Sequence, residues 1–124
     1  MAIFFDSAAH VYTPGNGSNL STSVTNSGGN LMIVGFWIGL GTGAPTLTTV
    51  TYNGVAMTQI PSQTASIASQ IFYVYYLVNP AKGANTLAIS HTGGGNCYTY
   101  AYVATYSGVD TSNPIDATTS TDLS

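Results

Sequence analysis

The sequence predicts an all-β, antiparallel sandwich, on three grounds. Short apolar runs alternate with Gly, Asn, Pro and Ser clusters along the chain, which is the spacing of strands and turns. Thr, Val, Ile, Tyr and Phe are plentiful and helix formers scarce, a composition that suits a pleated, half-buried surface. No stretch repeats apolar residues at helical spacing with a clean polar face. The 124 residues fit one domain, large enough to bury a core without disulfides or metals. Residues 1–114 read as the sandwich domain and residues 115–124 as a Ser-, Thr- and Asp-rich tail or arm.

The first strand is expected near Ala2–Asp6. A loop follows through Pro14-Gly15-Asn16-Gly17, and then a polar strand near Leu20–Thr25. Ser27-Gly28-Gly29-Asn30 is a turn. Asn30–Leu40 is the longest apolar strand. Period two puts Met32, Val34, Phe36, Ile38 and Leu40 on one face and Leu31, Ile33, Gly35, Trp37 and Gly39 on the other. With both faces apolar, this strand should be central and covered on both sides, or covered by a neighbouring subunit. Gly41–Pro45 ends it. Strands Thr46–Tyr52 and Val55–Ile60 flank Asn53-Gly54, a hairpin signal because both turn residues tolerate positive φ. After a loop at Pro61–Ser66 comes the second strongly apolar strand, Ser69–Val78. Asn79-Pro80-Ala81-Lys82-Gly83 is a turn, Thr86–His91 a strand, Gly93–Asn96 a loose tip and Cys97–Ser107 the last long strand. Asp110–Pro114 folds back as a turn. The expected core is Met32, Val34, Phe36, Val74, Tyr76, Leu87, Ile89 and Val103.

The charge count excludes several functions. Only 4% of residues are charged, against roughly 25% in an average soluble protein, and Lys82 is the only basic side chain. One Lys cannot neutralise a row of phosphates, so no nucleic-acid partner is expected. No polybasic segment exists to hold anionic lipid, and Leu31–Leu40 is too short to span a bilayer, so no membrane partner is expected either. The start, Met1-Ala2-Ile3-Phe4-Phe5-Asp6, lacks the basic and apolar regions of a signal peptide. A surface kept wet by Ser, Thr, Asn, Gln and Gly, with net charge −3, repels its neighbours only weakly, as suits subunits that pack densely.

Catalytic and metal chemistry find little material. The four carboxylates are Asp6, Asp110, Asp116 and Asp122, and the last two lie in the tail. A glycosidase pair would need Asp6 and Asp110 to meet across a sugar, whereas a turn-forming role accounts for Asp110 more simply. His10, His91 and Cys97 are the remaining metal-ligand types, but their spacings match no zinc pattern. Cys97 is the only cysteine, with no base near it in sequence. No catalytic residue, metal site or cofactor is expected.

The tyrosines are more informative. Tyr98, Tyr100 and Tyr102 recur at period two, and Tyr106 continues the row past Ala104. They share one face of one strand. Such a row suits a half-buried sheet face with rings packing across strands, an interface between subunits, or a platform on which a sugar stacks. Tyr73, Tyr75 and Leu77 admit the same three readings.

Val50-Thr51-Tyr52-Asn53-Gly54-Val55-Ala56-Met57-Thr58 is followed by Tyr76-Leu77-Val78-Asn79-Pro80, Gly83-Ala84-Asn85-Thr86-Leu87, Tyr106-Ser107-Gly108-Val109-Asp110 and Asn113-Pro114-Ile115. From Leu31 to Ala117, this order of segments resembles a jelly-roll module that recurs in bacteriophage structural proteins and in bacterial secreted or surface proteins. The resemblance implies a lectin-like β-sandwich with no catalytic residues. Similar modules run on after the Asp110–Pro114 turn. Here either the sandwich is short or a neighbouring subunit completes it.

The expected function is therefore a non-enzymatic structural protein of a bacteriophage virion, such as a capsid decoration protein or a tail fibre or tip component, made in the host cytoplasm. Its expected partners are copies of itself, first as a trimer by analogy with decoration and fibre proteins, and other virion proteins. A carbohydrate-binding or adhesin module that recognises a surface glycan is one alternative. An extracellular filament subunit is another. The expected partner- or glycan-facing residues are Tyr98, Tyr100, Tyr102 and Tyr106.

Overall fold

The computed structural model describes residues 2–12, 19–39, 46–60, 65–67, 70–92 and 97–116. The strands are β1 (Phe4–Tyr12), β2 (Leu20–Asn26), β3 (Leu31–Gly39), β4 (Thr46–Tyr52), β5 (Val55–Ala56), β6 (Thr58–Gln59), β7 (Ala65–Ile67), β8 (Gln70–Val78), β9 (Gly83–Thr92) and β10 (Thr99–Ser107). Among the described residues there is no helix. The strands form two antiparallel sheets, a β-sandwich. The six-stranded sheet has the order β1-β10-β3-β8-β6, with β7 also on β8, and the four-stranded sheet has the order β2-β9-β4-β5.

The most apolar strand is central, as expected, with β10 and β8 on its two sides. Its inner residues Met32, Val34, Phe36 and Ile38 are fully buried. They pack with Leu20 and Val24 of β2, Val50 and Tyr52 of β4, Leu87 and Ile89 of β9, and Ala101 and Val103 of β10. Removing this much apolar surface from water is the main force holding the two sheets together.

One strand presents the face opposite to the one expected. Val74 and Tyr76 are not core residues. They pair with Gly35 and Ile33 on the outer side of β3, while Tyr73 and Tyr75 pair with Phe36 and Val34 on the inner side. The rings of Tyr73 and Tyr75 lie 5.4 and 5.8 Å from that of Phe36. Ile71 to Val78 is apolar without interruption, so its period-two pattern carries no phase. Register with β3 sets it.

Several boundaries also move: β9 begins at Gly83 rather than Thr86, β7 takes up the end of the expected Pro61–Ser66 loop, and two further changes have a visible cause. The first strand runs to Tyr12 rather than ending at Asp6, because β10 supplies a partner for every residue from Ser7 onward, and its register shifts between Phe5 and Ser7. The expected strand Val55–Ile60 is two short ones. β5 stays on β4 and β6 crosses to β8, with buried Met57 at the step between sheets. Asn53 and Gly54 hold φ of 51° and 75°, as a type I′ turn requires. Asp110 forms its turn by accepting the Ser112 N–H at 3.0 Å. The loops expected at Pro14–Gly17, Gly41–Pro45 and Gly93–Asn96 lie outside the described residues, as do the start of the Pro61–Ser66 loop and the tail beyond Asp116.

Polar side chains lock one end of the sandwich. Asn26 is wholly buried. Its amide donates to the carbonyls of Gly29 (3.0 Å) and Pro80 (2.9 Å), and its oxygen accepts the Gly29 N–H (2.8 Å). This joins the turn before β3 to the turn before β9. Asn30 makes a reciprocal pair with the Val109 backbone. The buried Tyr52 hydroxyl donates to the Val24 carbonyl at 2.9 Å, tying β4 to β2 across β9.

Candidate interaction face

The outer side of the six-stranded sheet carries the feature most in need of explanation. Register places four groups on it: Ala8 and His10 of β1, Tyr100, Tyr102, Ala104 and Tyr106 of β10, Ile33, Gly35 and Trp37 of β3, and Phe72, Val74 and Tyr76 of β8. Tyr98, just before β10, joins them by lying over Gly39, where its ring comes within 3.0 Å of the place a Cβ would take. Phe72 covers Gly35 in the same way at 3.3 Å. The two glycines give β3 room for rings from neighbouring strands. No Lys, Arg, Asp or Glu stands among these residues, and no described element lies over them.

All four tyrosines expected on one face are therefore found there, and the structure adds Trp37, His10 and Phe72. The rings form a ladder across three strands. His10 stacks on Tyr102 at 4.8 Å and 23°, and Trp37 on Tyr100 at 5.1 Å and 21°, while Tyr102 meets Trp37 tilted, at 5.7 Å and 32°. Tyr98 meets Tyr100 edge-on at 5.4 Å. These separations are close to the spacing of adjacent strands, about 4.7–4.9 Å. Rings lying flat side by side could not come so near. They stand up from the sheet, face to face, with their edges outward. Tyr102 remains 53% exposed and Tyr98 39% exposed. Cross-strand neighbours cannot be read from one strand's pattern, so nothing in the sequence sets Trp37 and His10 beside the tyrosines.

Between the rings of Tyr102 and Tyr106 lies a furrow of about 280 Å³, with Ala8, Ala104, Gly35 and Ile33 among its lining residues. Small side chains in the middle of an aromatic row leave a notch behind a ridge. At the far end, Phe5 meets Tyr106 edge-on at 6.0 Å. Ile3, Phe4 and Phe5 are exposed to 63, 64 and 63%.

The remaining chemical groups are dispersed. His91 and Cys97 are buried together, with Sγ 3.7 Å from Nε2, so the base absent in sequence is present in space. Burial nevertheless pushes the Cys97 thiol up, away from the reactive thiolate. His10 stands on the outer face of β1 and does not join them. Among the described residues no group of three or more His, Cys, Asp or Glu could hold a metal ion. The Asp6 carboxylate accepts the Thr105 hydroxyl at 2.8 Å, and this bond is the main cause holding it below the ordinary value. Backbone N–H groups of Gly28 and Gly29 and the Ser7 hydroxyl add to the effect, and partial burial opposes it.

No family model, curated protein or solved structure gives a significant match to this chain.

Proposed function

We propose that this chain is a non-enzymatic structural subunit that works by packing against other protein chains through the aromatic outer face of its six-stranded sheet. The observation that carries the reading is that face. It is continuous, free of Lys, Arg, Asp and Glu, and built of standing rings that no described element covers. A lone sandwich normally wets the outer side of each sheet with polar residues. Large apolar faces on soluble chains mark interaction sites, and aromatic residues with polar tips are enriched there.

The setting we assign is a bacteriophage virion, as capsid decoration or as part of a tail fibre or tip, with other virion proteins as further partners. Two things support it. One is the order of sequence segments from Leu31 to Ala117. The other is the strand order, since 1-10-3-8 and 2-9-4-5 interleave early and late strands as a jelly roll does. On this reading all eight jelly-roll strands come from one chain and no neighbour need complete a sheet.

A glycan platform is the poorer reading. A sugar stacks on an exposed ring face, and here Tyr102 has His10 on one side and Trp37 on the other. The test is sedimentation of the purified chain over a wide concentration range, beside Tyr102→Lys. Association of the wild type that Tyr102→Lys abolishes without loss of the strand-type circular dichroism spectrum is expected. A wild type that stays a single folded chain at every concentration would contradict the proposal.

A further inference from the structure

We infer that the outer face of the six-stranded sheet pairs with the same face of a second copy of this chain, ridge into notch, about a two-fold axis. The inference rests on the proposed role in assembly and names the partner. Ridge and notch belong to one strand. Tyr102, half exposed, stands in the ladder between His10 and Trp37, and Ala104, two residues on, lies on the floor of the furrow that Tyr106 closes. Consider an axis between two such faces, crossing the strands at the level of Val103. It sets β10 of one copy antiparallel over β10 of the other. Tyr102 of each copy then lies over Ala104 of its partner. This is the reciprocity that an isologous interface requires, in which residue i meets j and j meets i. Aligned packing of two sheets is also the ordinary way for such faces to meet.

Charge and size agree with a second copy as occupant. Each chain carries a net charge of −3, yet none of the described carboxylates, Asp6, Asp110 and Asp116, is among the residues of this face, so the two faces meet without opposing like charges of their own. Strands β1, β10, β3 and β8 make a face about 19 Å wide and about 30 Å long, from strand spacing and rise per residue. Both copies together would cover roughly 1,100 Å² before the relief of the rings is counted, which meets the roughly 1,000 Å² a specific interface needs. The furrow has room for one aromatic side chain. A two-fold contact uses the same face on both copies and leaves none over for a third, so we infer a pair in place of the trimer expected by analogy.

Complementary variants of the full chain test the pairing. Ala104→Trp fills the notch, and Tyr102→Ala cuts the ridge. In a mixed pair the filled notch of one copy faces the cut ridge of the other, and the second contact keeps its native form. Wild type should sediment as a pair and Ala104→Trp as a single chain. An equal mixture of Ala104→Trp with Tyr102→Ala should again form pairs, each holding one copy of each variant. Ala8→Trp, on the exposed edge of the same notch, serves if Ala104→Trp fails to fold, and Ser23→Arg on the other sheet should leave pairing unchanged. A wild-type trimer, association indifferent to the notch variants, or failure of the mixture to pair would overturn the inference while leaving assembly itself in place. A wild type that never associates would overturn both.

Discussion

Asn26 shows how much one side chain settles. It lies at 0% exposure and makes three hydrogen bonds to two separate turns. Asn26→Ala would take the amide donor from two carbonyls, of Gly29 and Pro80, in buried turns, and one acceptor from the Gly29 N–H, and an unsatisfied buried polar group is costly. We expect a loss of about 2–4 kcal/mol in urea unfolding, and a loss under about 1 kcal/mol would mean that water replaces the amide. Asp6 makes a pH-dependent contribution of the opposite kind, at the surface. Its carboxyl is held below the ordinary 3.8 in the folded chain, chiefly by Thr105, so its contribution is present above that value and fades as pH falls through the folded value. The stability gap between wild type and Asp6→Asn should therefore be full at neutral pH and close in acid below about 3.8. A gap that stays constant through the acid range would show that Thr105 does not favour the charged form. Neither role was legible in the sequence. Asn26 falls between the expected strand Leu20–Thr25 and the Ser27–Asn30 turn, and Asp6 ends the expected first strand, while partners of the two lie 54 and 99 residues away.

At the scale of single strands, the sequence was legible wherever apolar and polar residues alternate or a turn residue is demanded. Thr46–Tyr52 has the limits expected of it, and Leu31–Gly39 is central because both its faces are apolar. Legibility failed where alternation is absent. Ile71–Val78 is apolar throughout, and only its register on β3 tells that Tyr73 and Tyr75 turn inward. It failed again where a strand changes sheets, since Met57 marks that crossing by being buried rather than by residue type. The Asn53-Gly54 turn offers a test of backbone alone. A side chain at Gly54 would meet no atom within 4 Å, so only its φ of +75° resists substitution. Gly54→Val should cost about 1–2 kcal/mol in thermal or urea unfolding. No measurable cost would mean that the turn changes type to relieve the strain.

For the molecule as a whole, the two sheets divide their roles. The four-stranded sheet faces outward with Ser and Thr, exposed at Ser21, Ser23, Thr49 and Thr86, and behaves as an ordinary wet surface. The six-stranded sheet faces outward with aromatic rings. The tyrosine row legible in the sequence lies on one face, but its meaning depends on rings from β1 and β3 that stand on either side of it. Trp37 is the chain's only tryptophan and sits inside that ladder, so its fluorescence reports on this face alone. The most direct measurement is acrylamide quenching of Trp37, followed together with sedimented mass as the protein is concentrated. The account predicts that quenching falls in step with the rise in mass, as the ring ladder is covered by a second chain. Association that leaves Trp37 as open to acrylamide as in the dilute single chain, or a chain that never associates, would contradict it.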